Sequence, residues 1–408
     1  MVNLLQTVSS RTLHRGRLTS APKTPRGWLL ASLLVLSLTA SACSSIAPAQ
    51  QREAQLRNAI TDRDLDPSEV LVPFQLTDEM ISWAQETVPQ TGTQDQRTVQ
   101  LLEALLSYDG LHIAYRSDFT GTAQQVFETR QANCLSFTHF FVAMARALGL
   151  PAYFLRVDEI ANFRKDGDLV IHTGHVTAAT GPITDPQILE FASVGNYDYQ
   201  QVSALTDLEA VSLFYSNRGA ELLRLRRPEE AREALEVSVH LVPELTDGWV
   251  NLGVALRRMG DFPGAEKAYQ QALEIDVNSS SAYQNLAALH RHLGNEGLVE
   301  ELLALAAHRD NRNPFTYLQL GDMNLRQGEV EAAERFYRRS LRLNPDLAAA
   351  HAALGQLEAT SGNTRAALKR LRRAHRLDPE EQRIQALMRQ LRRSGVEATR
   401  LAIEPASN

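Results

Sequence analysis

The chain has 408 residues, which is enough for two or three domains with substantial cores. Hydrophobic residues make up 44% and charged residues 22%, values typical of a globular protein and not of a disordered or collagen-like one. The formal net charge of −6 argues against a general affinity for nucleic acid. The two cysteines are too few for a four-cysteine zinc site, and P-loop, HExxH and EF-hand motifs are absent from the sequence.

The N-terminal segment has the features of an export signal. Residues 1–26 carry five basic residues and no acid, and residues 28–42 are apolar or small up to Ala42-Cys43. A basic region, a short apolar region and small residues before the break are typical of a secretory signal. The cysteine at that break makes the segment resemble a bacterial lipoprotein signal (residues 1–42), in which Cys43 would be lipidated. A plain signal peptide cut nearby, or a short anchor, is the alternative.

Membrane attachment is expected from the acyl chains at Cys43, because an acidic mature chain is not drawn to anionic lipid by its own surface. Residues 44–75 are polar and lack a clear apolar period, so we predict that residues 43–75 form a lipid-anchored tether. Ser44 after the cysteine, by resemblance to lipoproteins of this type, predicts the periplasmic face of the outer membrane in the cell envelope.

The C-terminal half repeats with a period of 34 residues. Each repeat has three characteristic positions: a small residue, a second and mostly small residue twelve positions later, and a large apolar residue four positions after that. The three columns are Gly219, Gly253, Ala287, Gly321, Gly355; Ala231, Ala265, Val299, Ala333, Ala367; and Leu235, Tyr269, Leu303, Tyr337, Leu371. Small residues let paired helices approach closely, and large ones fill the space between them.

This pattern resembles five tetratricopeptide repeats. The predicted units span residues 212–381, divided as 212–245, 246–279, 280–313, 314–347 and 348–381. The third unit departs most from the pattern, with Val299 and Asn311, so we predict a local irregularity there. Residues 382–393 suit a polar-faced capping helix, which a solenoid end needs, within a C-terminal segment 382–408.

A basic column follows the same 34-residue period: Arg224, Arg258, His292 and Arg326. In this repeat family the position lies near the end of the first helix, beside the concave groove. The column could recognise an acidic peptide or a C-terminal carboxylate. Cations at a helix C-terminus also complement the helix dipole, and that simpler explanation is preferred.

The middle of the chain, residues 76–210, has a different pattern. Amphipathic stretches at 77–88, 96–107 and 122–131 precede an apolar helix that begins at Cys134 and stops before Pro151. Four β-like runs follow, separated by turn residues. These runs span 152–157, 168–172, 175–179 and 188–192.

A cysteine at a helix start, followed by strands with a histidine and an acid, predicts a thiol triad. A helix N-terminus stabilises the thiolate nucleophile, an imidazole accepts and returns the proton, and a third group orients the imidazole. Cys134 and His175 fit the first two roles. If 175–179 and 188–192 pair as a hairpin, Glu190 lies opposite His175; a tighter turn would bring Asp185 there instead.

Three features of this region resemble the transglutaminase-like superfamily, which is related to papain. They are the motif Asn133-Cys134-Leu135-Ser136-Phe137, the helix end at Leu148-Gly149 and the later His-Val strand. Over residues 77–381 the chain resembles bacterial lipoproteins that join such a domain to tetratricopeptide repeats. The resemblance implies an α+β domain, with its Cys helix packed on an antiparallel sheet, followed by an all-α solenoid. It also implies Cys134 as nucleophile, His175 as base and Glu190 in the place of the usual Asp.

Two main functional hypotheses follow. In the first, the thiol site cleaves or transfers acyl groups at an amide bond of an envelope peptide or protein recruited by the repeats; no metal or organic cofactor is implied, because covalent thiol chemistry needs none. In the second, the chain is a non-catalytic assembly lipoprotein whose repeats bind protein partners. The superfamily contains peptidases, transamidases and members without activity, so both hypotheses remain open. A redox-sensing thiol is weaker, because a second cysteine for resolution is lacking.

Overall fold

A computed structural model describes residues 49–166, 169–189, 191, 202–379 and 384–387, with side chains except at 49–50 and 157–175. The described residues form two compact units. One comprises the chain up to Ile160 together with His175–Asp207, and the other comprises Ala161–Gly174 and the chain from Leu208 onward. No helix within the described residues is long and apolar enough to cross a bilayer.

The chain up to Leu205 contains helices and a small sheet, of which residues 161–166 and 169–174 belong to the second unit. The elements in chain order are α1 (Ala49–Thr61), α2 (Asp78–Thr87), α3 (Gln94–Leu106), β1 (Ala114–Tyr115), α4 (Ala123–Thr129), β2 (Gln131–Ala132), α5 (Cys134–Ala147), β3 (Ala152–Asp166), β4 (Leu169–Thr180), β5 (Gln187–Leu189) and β6 (Val202–Leu205). Strands β5, β4, β3 and β6 form one sheet in that order, and β1 pairs with β2 in parallel. The predicted α+β class is confirmed.

Local signals explain why the helices begin where they do. Thr77, Thr93 and Thr122 are N-caps whose hydroxyls accept hydrogen bonds from backbone N–H groups of the first turns of α2, α3 and α4. At α3 and α4 a glutamine three residues later completes a capping box, which satisfies two free N–H groups at once. Helix α5 is mostly apolar, as expected of a buried helix, and eleven consecutive residues of it are buried, including the polar Ser136, Thr138 and His139.

Two predictions for this unit are wrong in detail. The predicted tether contains helix α1, whose Leu56 and Ile60 are buried, so this part of 43–75 is folded. Residues 169–172 of one predicted run and the whole run 175–179 belong to the single strand β4, because the neighbouring strand β3 continues to Asp166 and extends the edge available for pairing. The segment 1–42 and Cys43 lie outside the described residues.

The second unit is a row of helix pairs. The pairs are α6 (Asp207–Arg224) with α7 (Pro228–Leu241), α8 (Thr246–Arg258) with α9 (Phe262–Ile275), α10 (Ser280–His292) with α11 (Glu296–Arg309), α12 (Pro314–Arg326) with α13 (Val330–Leu343), and α14 (Ala348–Thr360) with α15 (Thr364–Leu377). The all-α repeat prediction is confirmed. Helix α6 begins five residues before the predicted unit boundary at 212.

The third pair is regular, contrary to the expected irregularity. Helices α10 and α11 have 13 and 14 residues, like the pairs on either side. Val299 is buried in place of the usual alanine, and the Asp310 side chain accepts a hydrogen bond from the Arg312 N–H at 2.9 Å, as Asp276 and Asn344 do from Asn278 and Asp346 in the neighbouring repeats. Of the predicted capping helix, residues 384–387 are described; they are helical, and Ile384 and Leu387 pack on α14 and α15.

The small and large columns meet inside each pair. A Cβ on Gly253 would lie 2.4 Å from the Tyr269 ring, and one on Gly321 would lie 2.4 Å from the Tyr337 ring. Both tyrosines are fully buried. The glycine is therefore required by the aromatic residue of its own repeat, not by backbone conformation.

Gly321→Ala is expected to lower the free energy of unfolding of the repeats by about 1–3 kcal/mol, because the added methyl overpacks a filled core. Gly297→Ala is the matched control: it lies in α11 with no atom near the added methyl, so it should stabilise by up to about 1 kcal/mol through helix propensity. Urea midpoints by circular dichroism at the helical band measure both. Equal midpoints for the two variants would contradict the packing explanation.

Candidate functional site

The candidate site lies at the N-terminus of helix α5. Cys134 is the first residue of that helix and is partly exposed, whereas Leu135 to Ala145 are buried. The cysteine therefore lies where the helix reaches the surface, with the free N–H groups of the first turn beside it. Such a position favours an anion, and the thiolate is the nucleophilic form of cysteine.

Asn133 holds this helix end in place. Its side chain accepts a hydrogen bond from the Ser136 N–H at 2.8 Å and donates to the Thr120 hydroxyl at 3.0 Å. The Ser136 hydroxyl in turn accepts from the Gly121 N–H at 2.9 Å. Loop 116–121 and the helix start are thus cross-linked through hydrogen bonds, which fixes the position from which the thiol projects.

Strand β4 crosses α5 one helical turn from the cysteine. The Thr138 hydroxyl lies 2.7 Å from the Cys134 carbonyl and 3.4 Å from the Val176 carbonyl. His175, the predicted base, directly precedes Val176 and belongs to β4, although its side chain lies outside the described residues. The backbone next to the predicted base is therefore close to the backbone of the predicted nucleophile.

A third segment reaches the same helix end. The Phe191 ring stacks on the Phe137 ring with centroids 4.0 Å apart and planes 7° apart. Phe191 directly follows Glu190, the predicted acid, which lies outside the described residues. The segments that carry the predicted nucleophile, base and acid thus approach one another around the first turns of α5.

Tyr115 is a site residue that the sequence did not indicate. Its hydroxyl lies 4.0 Å from the Cys134 sulfur, at the limit of a thiol hydrogen bond, and its ring lies 5.7 Å from that of Phe191. The parallel pairing of β1 with β2 brings it there, since Tyr115 pairs with Ala132 two residues before the cysteine. A two-residue strand has no periodic pattern, so no sequence signal was available.

The register between β4 and β5 differs from the predicted one by two residues. Pairing of 175 with 190 would place Ala178 opposite Gln187, whereas the structure places Ala178 opposite Leu189. Asp185, the alternative acid, is exposed in the turn after Thr180. Thr180 lies five positions after His175 along β4, a distance of about 16 Å, so the tighter turn needed for Asp185 is not the turn that forms.

Arg116, the residue after Tyr115, forms polar contacts with two neighbouring side chains. The hydrogen bond from Arg116 to Asp118, at 3.0 Å, raises the pKa of the Arg116 guanidinium, which also donates to the Gln131 side chain at 3.3 Å on β2. Burial raises the pKa of the Tyr153 hydroxyl on β3. Within the described residues, no group of three or more His, Cys, Asp or Glu could hold a metal ion.

The basic column lies at helix C-termini, as the sequence predicts. Arg224, Arg258, His292 and Arg326 are the last residues of α6, α8, α10 and α12. The Arg258 guanidinium donates to the Leu223 carbonyl, one of the last carbonyls of α6, and Arg326 lies 3.9 Å from Glu296. The Arg258 contact fits dipole complementation, the Arg326 contact is an ion pair, and a groove role remains a prediction.

Three family models match parts of the chain. The transglutaminase-like superfamily model matches residues 81–159, and two tetratricopeptide repeat models match residues 246–279 and 324–391. The first match includes Cys134 and ends before His175. These matches and the fold define a two-part protein, in which a transglutaminase-like domain is followed by tetratricopeptide repeats. Repeats of this family bind proteins or peptides, so the second part is a partner-binding module.

Curated relatives match only a 78-residue stretch, 19% of this chain. They are a heat-shock protein cognate co-chaperone, sgt12, of Aspergillus fumigatus at 32% identity and the heat shock protein STI1 of Saccharomyces cerevisiae at 33% identity. The chain spans 23% and 13% of their respective lengths.

Solved structures are similar over less than half of the chain. The Cut9–Hcn1 hetero-tetramer of the APC/C has 20% identity and a TM-score of 0.40, covering 48% of this chain and 40% of that one. A tetratricopeptide repeat protein of Thermus thermophilus has 19% identity and a TM-score of 0.38, covering 43% and 95%. YrrB, described as having an unusual peptide-binding site, has 17% identity and a TM-score of 0.31, covering 44% and 92%.

Asn133→Ala is expected to lower the free energy of unfolding of the first unit by about 1–2 kcal/mol, because it removes the helix N-cap and leaves the Ser136 N–H without its acceptor. Asn133→Asp keeps that acceptor, so its cost should be smaller. Hydrogen exchange of the peptide covering 134–147 reports the change locally. Identical exchange in both variants would show that the cap does not hold this helix end.

Proposed function

We propose that the protein is an envelope lipoprotein whose Cys134 site carries out acyl transfer at an amide bond of a peptide or protein bound by the repeats. The main support is the double contact of the Thr138 hydroxyl, which lies within hydrogen-bond distance of the carbonyls of both Cys134 and Val176. A nucleophile at a helix N-terminus and a base on an adjoining strand is the arrangement that thiol catalysis needs.

The chemistry follows from these groups. His175 accepts the proton of the Cys134 thiol, and the thiolate attacks the carbonyl carbon of the substrate amide. Collapse of the tetrahedral intermediate breaks the C–N bond; the imidazolium gives its proton to the leaving amine, and a thioester remains on Cys134. Water or a second amine then attacks the thioester, and the thiol is regenerated.

Two further groups have roles in this proposal. Glu190 orients the His175 imidazole, because an acid on the following segment is the usual third group of such a triad. The Tyr115 hydroxyl, 4.0 Å from the sulfur, can donate to the thiolate or to the developing oxyanion. The backbone N–H of Cys134 supplies another oxyanion donor at the helix N-terminus.

Location and recruitment complete the proposal. Lipidation of Cys43 would anchor the chain at the periplasmic face of the outer membrane, and the repeats would bring the substrate to the anchored thiol. Tethering both to one chain raises the local concentration of substrate near Cys134.

The thiol of Cys134 is expected to react with iodoacetamide at pH 6 about tenfold faster or more than an unactivated cysteine, because a paired imidazole holds it as thiolate. A Cys43→Ser background leaves Cys134 as the only cysteine. His175→Ala should remove most of this advantage. His240→Ala, at an exposed position of α7, is the matched control and should leave the rate unchanged.

A slow rate at pH 6 that does not respond to His175→Ala would contradict the catalytic proposal. A fast rate lost in His175→Ala justifies a screen of amide substrates with Cys134→Ala as the inactive reference. Glu190→Gln and Asp185→Asn, compared side by side, would then identify the third group, because only the orienting acid should lower kcat.

A non-catalytic assembly role is the second candidate. It is favoured by the end of the transglutaminase-like match at residue 159, before His175, and by Ala132, where the family usually has glycine before Asn-Cys. In this role the first unit is a scaffold and the repeats alone carry function.

Capture of partners from an envelope extract distinguishes the two candidates. Cys134→Ala should retain every partner if the role is assembly, and should accumulate substrate if the role is catalytic. Replacing Arg224, Arg258, His292 and Arg326 by alanine should reduce capture severalfold if the basic column lies in the binding groove. Lower thermal stability with unchanged capture would instead establish the column as helix-dipole complementation.

A further inference from the structure

The second helices of the first and last repeats carry opposite charges at the same repeat positions. In α7 these positions hold Glu229, Glu233 and Glu236, and in α15 they hold Arg365, Lys369 and Arg372. Each cation stands four repeats after its acidic counterpart, and all six side chains are exposed. We call these sets the acidic ridge and the basic ridge.

Composition sharpens the contrast between the two helices. Helix α7 has four glutamates and one arginine, whereas α15 has six lysines and arginines and no acid. The whole chain is acidic, with a net charge of −6. The charge of the basic ridge is therefore opposite in sign to the net charge of the chain.

Ion pairs within the chain compensate Arg370 and Arg373 of α15, but not the ridge residues Arg365 and Lys369. Arg370 lies 3.5 Å from Glu358, and Arg373 pairs with Asp346. Within the described part of the chain, neither Arg365 nor Lys369 forms an ion pair, and neither does Glu229 or Glu233. Two charges of each ridge, Glu229 and Glu233 on one and Arg365 and Lys369 on the other, are thus left uncompensated, whereas Glu236 pairs with Arg232 at 3.1 Å.

Helix stability alone does not explain the basic ridge. Arg365 lies in the first turn of α15, where a cation opposes the helix dipole, and that turn contains no acid. Lys369 follows at i+4, a like-charge spacing that costs about 0.2–0.5 kcal/mol. An external row of carboxylates at the same spacing would remove both penalties.

We propose that the basic ridge of one molecule binds the acidic ridge of a second copy of this chain. The i, i+4, i+7 spacing is the same on both ridges, so Glu229, Glu233 and Glu236 match Arg365, Lys369 and Arg372 of the second copy in order. The partner is a second copy because the complementary row is present on the chain itself. The same contact can close as a two-fold pair or continue head to tail.

Charge reversal tests the contact. One variant carries Glu229→Lys, Glu233→Lys and Glu236→Lys, and the other carries Arg365→Glu, Lys369→Glu and Arg372→Glu. The full chain of each is measured by light scattering over a concentration series in one non-ionic detergent. Each variant alone should associate at least about tenfold more weakly than the wild type, because its two ridges now have like charge.

The mixture of the two variants is the decisive sample. One has two basic ridges and the other two acidic ridges, so the mixture should associate like wild type. Reversing all six residues in one chain should also restore association. Glu103→Lys with Glu244→Lys and Glu300→Lys is the matched control for the acidic-ridge variant: these acids are exposed and off the ridges, and the net charge changes by the same amount and sign.

Salt gives an independent readout. Association should be strong near 0.01 M salt, where the Debye length is about 30 Å, and lost near 1 M, where it is about 3 Å. A wild-type chain that stays monomeric at low salt, or variants whose mixture does not recover, would overturn the proposal. Misfolding of a single variant cannot imitate the result, because the mixture must regain what each variant lost.

Discussion

The burial of helix α5 is the constraint on which the cysteine-bearing unit depends. Eleven consecutive residues of this helix are buried, most of them apolar, and at its N-terminus Cys134 is partly exposed. At the N-terminus the first N–H groups have no carbonyl within the helix, which makes that end the natural place for a thiolate. Asn133 satisfies the Ser136 N–H and fixes loop 116–121, while Thr138 brings β4 alongside. The position of the candidate site is thus a consequence of how the core is built.

The repeats were predictable because their packing is local and recurs. A glycine in the first helix meets the large residue of the second helix of the same repeat, as Gly253 meets Tyr269, so both residues recur together every 34 positions. A second column was not recognised in the sequence: Gly260, Gly294, Gly328 and Gly362 all have φ near +80° in the turn between paired helices. Left-handed backbone favours glycine there. In the first repeat the equivalent residue is Arg226, with φ of 59°, and this exception obscures the column.

The N-terminal helix shows where composition fails as evidence. Helix α1 is mostly polar, and its buried apolar side chains, Leu56 and Ile60, are one helical turn apart. A single i, i+4 pair is too short a period to distinguish a helix from a tether. Its fold is determined by the unit on which it packs, and tertiary contacts of this kind override weak local preference. For the same reason the sequence does not predict Tyr115 as a site residue. Its position beside the thiol depends on the pairing of β1 with β2, and each of these strands has only two residues.

The β4–β5 register explains why the third group of the predicted triad is harder to derive from the sequence than the first two. Side chains alternate along a strand, so the apolar pattern specifies pairing only to within two residues. The predicted pairing of Ala178 with Gln187 and the observed pairing with Leu189 place the same side chains on the same face. The remaining two-residue choice is made by the turn, in which Gly181 has φ of 83° and the Asp185 N–H donates to the Pro182 carbonyl at 3.0 Å. A helix start predicts the position of the cysteine, and a strand pattern predicts that of the histidine. The position of the acid depends on the number of residues in the turn. Loop geometry sets this number, and no sequence motif predicts it.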